Sequence, residues 1–265
     1  MEWGLAGALA KVAAGIGAAL LGVFLVQDRL IFHPRPGPAS VRGADSVFIQ
    51  AADGTRLHAW HVKGAPGSPL VLYFGGNAEE VSWMAAEGPR RAPGVSWLLV
   101  DYRGYGSSDG SPSERVLVAD ALLWHDEARR RFPGSLYLFG RSLGSGVAVQ
   151  LAAQRRVDGV ILVAPFDSMV EVGRHHYAFL PVRWLLRHRF DSVSRAPSID
   201  TPLLCLAARR DEVIPVVHSR RLYEAWRGPK RWVELPYAGH NSTDEAPEFW
   251  RAIRAFLDKN NEKPA

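Results

Sequence analysis

The chain has 265 residues, of which 47% are hydrophobic, so it can form one large α/β domain with a sheet buried on both faces. Its single cysteine, Cys205, excludes an intrachain disulfide and is best interpreted as a small core residue. The net charge of +5 comes without any recognisable nucleic-acid-binding motif, which argues against a nucleic-acid partner. Basic residues gather in stretches 174–195 and 209–231, which form either a solvated surface or a contact for anionic lipid headgroups.

The first 27 residues predict a membrane anchor. Residues 5–26 are apolar except for Lys11, and as a helix they would extend about 33 Å, enough to cross a bilayer. No small-residue cleavage site follows Val26, so we expect an uncleaved single-pass anchor, with a cleaved signal peptide as the alternative. Arginines just beyond the segment tilt the positive-inside balance slightly towards a cytoplasmic domain.

The rest of the chain predicts a linker followed by one α/β domain. Three prolines in residues 28–45 would make the linker stiff and extended. In residues 46–259, Asp53-Gly54 indicates a hairpin, and short apolar strands then alternate with helical segments. This alternation favours a mostly parallel central sheet with helices on both faces. We expect residues 260–265 to be a frayed tail.

A glycine-rich loop, Gly75-Gly76-Asn77, follows the first strand of this alternating region. Its two glycines would let the backbone approach a substrate carbonyl closely. The backbone N–H of Asn77 is therefore a candidate donor to the oxyanion that forms during acyl transfer. The alternative is an ordinary strand-to-helix turn, which also favours Gly and Asn.

The most informative motif is Gly140-Arg141-Ser142-Leu143-Gly144, a G-x-S-x-G between a short apolar strand and a helix of small residues. A strand, a sharp turn and a helix are the context in which this pattern forms a nucleophile elbow. Ser142 is then the candidate nucleophile, and the N–H of Leu143 is a second candidate oxyanion donor.

An activated serine needs a histidine base and an acid that orients it. Asp211 follows a late apolar strand and is the candidate acid, with the adjacent Glu212 as the alternative. His240 follows the last predicted strand and precedes the final helix, which is the expected place for the base. The chain order Ser142, Asp211, His240 is the order that this architecture requires.

Six motifs together give the chain a clear resemblance to the alpha/beta-hydrolase superfamily. The chain is most similar to the small membrane-anchored serine hydrolases, a branch that includes protein depalmitoylases and many uncharacterised bacterial members. The motifs are Phe74-Gly75-Gly76-Asn77-Ala78, Asp101-Tyr102-Arg103-Gly104-Tyr105-Gly106-Ser107-Ser108, Gly140-Arg141-Ser142-Leu143-Gly144-Ser145-Gly146, Ala164-Pro165-Phe166-Asp167-Ser168, Asp211-Glu212-Val213-Ile214-Pro215 and Gly239-His240-Asn241. Many members have His-Gly-Asn where this chain has Gly75-Gly76-Asn77.

The resemblance implies an alpha/beta-hydrolase fold with a short cap at about residues 166–201. It also implies that the loop containing Asp101 and Arg103 is scaffold rather than catalytic. We expect a serine hydrolase that cleaves carboxylic esters or thioesters of small-molecule or lipid-like acyl substrates near a membrane. A serine peptidase or amidase with the same triad and an inactive membrane-anchored scaffold are the alternatives. No metal-ligand spacing or phosphate-binding loop is evident, so we expect no metal and no cofactor.

Overall fold

The computed structural model describes residues 2–261, with side chains for residues 7–259. Its eight strands are β1 (Asp45–Gln50), β2 (Arg56–Val62), β3 (Leu70–Phe74), β4 (Ser96–Val100), β5 (Leu136–Arg141), β6 (Gly159–Val163), β7 (Leu203–Ala208) and β8 (Lys230–Leu235). The helices are α1 (Glu2–Ile31), α2 (Met84–Arg91), α3 (Glu114–Arg131), α4 (Leu143–Ala152), α5 (Met169–His176), α6 (Val182–Leu185), α7 (Ser192–Arg195), α8 (Val216–Ala225) and α9 (Pro247–Asn261).

All eight strands form one sheet in the order β1-β2-β4-β3-β5-β6-β7-β8. The two pairings that involve β2 are antiparallel, and the other five are parallel. The predicted mostly parallel sheet is therefore confirmed. Because parallel strands end at the same edge, the loops after β3, β5, β7 and β8 lie side by side, and these loops contain the candidate site residues.

Helices cover both faces of the sheet, as the sequence predicts. Apolar residues of α3, α4 and α8, such as Trp124, Val147 and Leu222, pack on one face. On the other face, α2 and α9 contribute residues such as Met84 and Phe249. The strands β3, β4, β6 and β7 are buried along their whole length, which explains their continuous apolar sequences.

Helix α1 is long and apolar enough to span a membrane from Gly7 to Ile31, judged by length and composition, and none of its most apolar stretch is buried. It continues through residues 28–31, beyond the predicted end of the anchor at residue 27. The end of the helix, beginning at Gln27, is docked on the domain. The side chain of Gln27 is buried, donates to the carbonyl oxygen of Leu185 at 3.2 Å, and accepts from the N–H of Arg187 at 2.8 Å.

The ends of the domain also differ slightly from the predicted boundaries. Pro36, in the predicted linker, forms an isolated parallel bridge with Gly106, so this segment lies against the domain. The cap, residues 166–201, contains α5, α6 and α7 between β6 and β7. Helix α9 continues to Asn261, and the last four residues of the predicted frayed tail lie outside the described residues.

Candidate active site

Ser142 lies in the sharp turn between β5 and α4, where its backbone has φ 51° and ψ −117°. A non-glycine residue rarely adopts this conformation, and it persists because the surroundings fix it. The Ser142 N–H donates to the carbonyl oxygen of Val163 at 2.9 Å. A Cβ atom on Gly140 would lie 2.4 Å from the oxygen of Gly144, and one on Gly144 would lie 2.1 Å from the oxygen of Phe74. Both glycines of the motif are therefore needed for the turn to pack against its neighbours.

His240 bridges Ser142 and Asp211. Its Nε2 lies 2.9 Å from Ser142 Oγ, and its Nδ1 lies 2.8 Å from Asp211 Oδ2. A carboxylate can only accept, so Nδ1 carries the proton in neutral His240, and Nε2 is free to accept the serine proton. Asp211 Oδ1 also accepts from the N–H groups of Val213 (2.9 Å) and Ile214 (2.6 Å), which fix the orientation of the carboxylate.

The structure thus brings together all three residues that the sequence nominates as a triad. Of the two acids considered, it is Asp211 that bonds His240, and its side chain is almost fully buried. The alternative acid, Glu212, is exposed. Of the two candidates, the acid that bonds the imidazole is therefore Asp211, which comes first after the end of β7.

The loop after β3 lies next to the elbow because Phe74 and Gly140 are partners in the parallel register of β3 and β5. A Cβ atom on Gly76 would lie 3.6 Å from Ser142 Cβ. Within the described part of the chain, the N–H groups of Asn77 and Leu143 donate to no protein acceptor. Two unpaired donors beside a serine hydroxyl are what an oxyanion needs.

The side chain of Asn77 holds this loop in place, a role that the sequence did not reveal. Its Nδ2 donates to the carbonyl oxygen of Ile31, at the end of α1. Its Oδ1 accepts from Tyr105 Oη at 2.8 Å and from the N–H of His33 at 3.0 Å. The candidate oxyanion loop is therefore tied to the end of the apolar helix.

Glu79 is a second residue that sequence reasoning missed. Its carboxylate accepts from the N–H of Gly76 at 2.5 Å and from Trp83 Nε1 at 2.9 Å, and it lies 3.5 Å from the Arg141 guanidinium. Burial raises the pKa of the Tyr73 phenol, which stays protonated and donates to the same carboxylate. Glu79 thus connects the glycine loop to the elbow. In the sequence, the signal that could have identified Glu79 was an acidic residue two positions after Asn77, close to a buried strand.

The triad opens into a pocket of about 500 Å³, within the usual range for small-molecule sites. Ser142, His240 and Asn77 line it together with Arg141 and Val213. Among the described residues, no group of three or more His, Cys, Asp or Glu side chains is placed to hold a metal ion.

A second Ser–His–Asp chain lies elsewhere in the sheet. His58 Nδ1 donates to Asp101 Oδ2 at 2.7 Å, and His58 Nε2 lies 3.0 Å from Ser46 Oγ. Asp101 also accepts from the N–H of Ser107 at 2.9 Å. The neighbouring Arg103 binds Asp120 at 2.7 Å, so Asp101 and Arg103 are both engaged in scaffold contacts.

Comparisons with known proteins agree with this architecture. The Hydrolase_4 family model, described as serine aminopeptidase S33, matches residues 69–192. The uncharacterised protein Rv2307c of Mycobacterium tuberculosis is 39% identical over 263 residues, which cover 94% of this chain and 92% of that protein. The uncharacterised membrane protein YNL320W of Saccharomyces cerevisiae is 34% identical over 80% of this chain and 79% of its own length.

Among solved structures, the Pyrococcus furiosus esterase Pf2001 is similar with a TM-score of 0.69. The similarity covers 88% of this chain and 98% of that one, at 17% identity, and it concerns the fold alone. The sheet order and the helices on both faces agree with the family model. The chain therefore belongs to the alpha/beta-hydrolase superfamily.

Proposed function

We propose that this protein is a serine hydrolase that cleaves carboxylic ester or thioester bonds through an acyl-enzyme. The observation that carries the proposal is the continuous hydrogen-bonded chain from Ser142 through His240 to Asp211, with Ser142 in the strained turn before α4. The base lies within hydrogen-bond reach of both the nucleophile and the orienting acid, which is the geometric requirement for this chemistry.

In the proposed reaction, Ser142 Oγ attacks the acyl carbonyl carbon while His240 Nε2 takes the serine proton. The N–H groups of Leu143 and Asn77 donate to the oxyanion of the tetrahedral intermediate. As the intermediate collapses, the bond to the leaving group breaks, and His240 gives its proton to the departing alcohol or thiol. Water then attacks the acyl-enzyme with His240 as base, which releases the carboxylic acid and restores Ser142. Asp211 holds the imidazole orientation and stabilises the imidazolium throughout.

The proposed setting is a membrane surface. Helix α1 has the length and composition of a membrane span, and the yeast relative carries the name membrane protein. Docking of Gln27 on the cap would keep the catalytic pocket close to the bilayer that α1 enters. The exposed Arg183 of the cap suits anionic headgroups. We expect a single-pass topology with the domain on the cytoplasmic side, and acyl substrates that partition into the membrane.

A peptidase or amidase is the second candidate, favoured by the description of the matching family model as serine aminopeptidase. An aminopeptidase would need a carboxylate to receive the substrate ammonium in the pocket. The carboxylate that lines this pocket, Glu79, is already bonded to Gly76, Trp83 and Tyr73. This arrangement favours an acyl substrate without an ammonium group.

The test compares the full-length protein with its Ser142→Ala variant in detergent or nanodiscs. We expect a fluorophosphonate probe to label the wild-type protein and not the variant. We also expect short acyl esters and thioesters to be hydrolysed much faster than aminoacyl amides. Faster amide turnover would favour the peptidase. Absence of labelling and of turnover by a folded wild-type protein would favour the inactive scaffold and overturn the proposal.

A further inference from the structure

A second cavity, of about 480 Å³, lies between the last turns of α1 and the cap. This volume lies within the range of ligand-binding cavities. Its walls are mainly aliphatic. Helix α1 contributes Leu30 and Ile31, and the cap contributes Val172, His176, Leu180 and Leu186. Because one wall belongs to α1, the cavity exists only through the docking of this helix on the domain.

The cavity is a direct neighbour of the catalytic pocket. Ile31 lines the cavity, and its carbonyl oxygen accepts from Asn77, which lines the catalytic pocket. His176 lines the cavity, and its Nε2 donates at 2.8 Å to the carbonyl oxygen of Val213, which lines the catalytic pocket. Two hydrogen-bonded residue pairs, Ile31 with Asn77 and His176 with Val213, thus lie between the cavity and the catalytic pocket.

Two of the three polar side chains in the cavity wall, Gln27 and His176, are already bonded to protein atoms, and the third, Tyr177, is 54% exposed. The amide of Gln27 donates to the carbonyl oxygens of Phe24 and Leu185 and accepts from the N–H of Arg187. His176 is bonded to Val213. A polar ligand group would therefore find few free partners and would lose its hydration, whereas a hydrocarbon chain would lose nothing.

The outer rim of the cavity is suited to a membrane surface. Phe179 and Trp184 flank the lining residues Leu180 and Leu185 and are 82% and 84% exposed. Large exposed aromatic side chains beside a membrane-spanning helix are typical of the membrane–water interface. A hydrocarbon chain that leaves the bilayer along α1 would contact this aromatic rim before it reaches the cavity.

The geometry points to this cavity as the binding site for the hydrocarbon chain of the acyl group that Ser142 attacks, with α1 as one wall of the site. The inference rests on the proposed function and adds a substrate class, esters or thioesters of medium and long fatty acyl chains. The helix that anchors the protein is then also part of its specificity. Each methylene that enters the cavity raises kcat/KM by about fourfold, until the cavity is full.

The experiment measures kcat/KM for acetyl, butanoyl, octanoyl and dodecanoyl thioesters with the full-length protein in phosphatidylcholine nanodiscs. Leu30→Trp narrows the cavity from α1, and Val172→Trp narrows it from the cap. Leu25→Trp is the matched control, because Leu25 is on the same helix, is 65% exposed and does not line the cavity. Leu30 is 57% exposed, so the fold tolerates a larger side chain there.

We expect the wild-type rate to rise with chain length. Leu30→Trp should lower the dodecanoyl-to-butanoyl ratio at least about tenfold and leave butanoyl turnover within about twofold, while Leu25→Trp changes neither. Equal ratios in Leu30→Trp and Leu25→Trp would overturn the acyl-chain site, and so would a wild-type protein without chain-length preference. In both cases the proposed hydrolase would stand, because butanoyl turnover persists. Loss of butanoyl turnover and of fluorophosphonate labelling in the wild type would overturn both.

Discussion

Two Ser–His–Asp chains with nearly equal distances occur in this fold. In the first, Ser142, His240 and Asp211 are joined by contacts of 2.9 and 2.8 Å. In the second, the corresponding contacts of Ser46, His58 and Asp101 are 3.0 and 2.7 Å. By the distances between side chains alone, the two chains cannot be told apart.

The difference lies in the backbone around each serine. Ser142 occupies a strained turn at the start of α4, beside a pocket of about 500 Å³ and the N–H groups of Leu143 and Asn77, which have no acceptor among the described residues. Ser46 lies within the regular strand β1, where its register partner in β2 is Trp60.

The two histidines also differ in their surroundings. His58 is completely buried, packed between the rings of Phe48 and Trp60, whereas His240 lines the catalytic pocket. A hydrogen-bonded triad therefore becomes a reaction site only where oxyanion donors and room for the acyl group accompany it. The Ser46 chain instead joins β1 and β2 to the loop after β4.

The largest expected effect separates the two serines. Ser142→Ala should lower kcat/KM for a short acyl ester by about 10³-fold or more, because the attacking oxygen is lost. Ser46→Ala should leave kcat/KM within about twofold, because Ser46 lies in the regular strand β1 and its histidine is completely buried. The measurement is ester hydrolysis by both variants at matched concentrations of folded protein. A large loss in Ser46→Ala with unchanged stability would mean that the second chain contributes to catalysis.

Substitution of the two histidines should affect different properties, catalysis for His240 and stability for His58. His240→Ala should lower kcat/KM by about 10³-fold or more, since this imidazole serves catalysis. It should lower Tm less than His58→Ala does, because the Asp211 carboxylate keeps the N–H donors of Val213 and Ile214. His58→Ala should lower the free energy of unfolding by about 3 kcal/mol or more, because it leaves the buried Asp101 carboxylate without its main partner. Thermal unfolding and ester hydrolysis, measured on the same preparations, check both statements. A stable His58→Ala protein that lacks activity would contradict this division of roles.

The two neighbouring acids, Asp211 and Glu212, should also differ in their effect on catalysis. Asp211→Asn should lower kcat/KM by about 10³-fold, because an amide at this position favours the wrong tautomer of His240. Glu212→Gln is the neighbouring control and should stay within about threefold. If Glu212→Gln is the damaging change and Asp211→Asn is mild, the assignment of the acid is wrong.

The candidate triad could be predicted because its signals are local or follow chain order. Gly140 and Gly144 around Ser142 specify a turn that hardly any other residues allow, and strand ends mark the places of Asp211 and His240. The Ser46–His58–Asp101 chain could not be predicted, because it depends on strand register. His58 reaches its partners through the pairing of β2 with β1 on one side and with β4 on the other. No short stretch of sequence contains that information.

The docking of helix α1 on the cap is a second feature that could not be predicted from the sequence. Its composition predicts a span, but its docking depends on long-range contacts. Gln27 and Asp28 meet cap residues about 160 positions later, including a 2.9 Å contact between Asp28 and the Arg187 guanidinium. In the sequence these two residues were simply the polar end of an apolar segment. Their polarity has a structural reason, because each has partners on the cap.

The smallest expected effect concerns Asn77 in the loop after β3, a loop that lies beside Ser142 and distinguishes its Ser–His–Asp chain from that of Ser46. Asn77→Ala removes the bonds to the Ile31 carbonyl and to Tyr105, but it leaves the backbone N–H that we propose as an oxyanion donor. We expect kcat to fall about tenfold with KM nearly unchanged, which is less than the loss when a donor itself is removed. Tyr105→Phe removes one of these contacts and should give a smaller decrease. Steady-state kinetics and Tm values for both variants provide the check. A fall in Tm without a change in kcat would show that Asn77 stabilises the fold and does not position the donor.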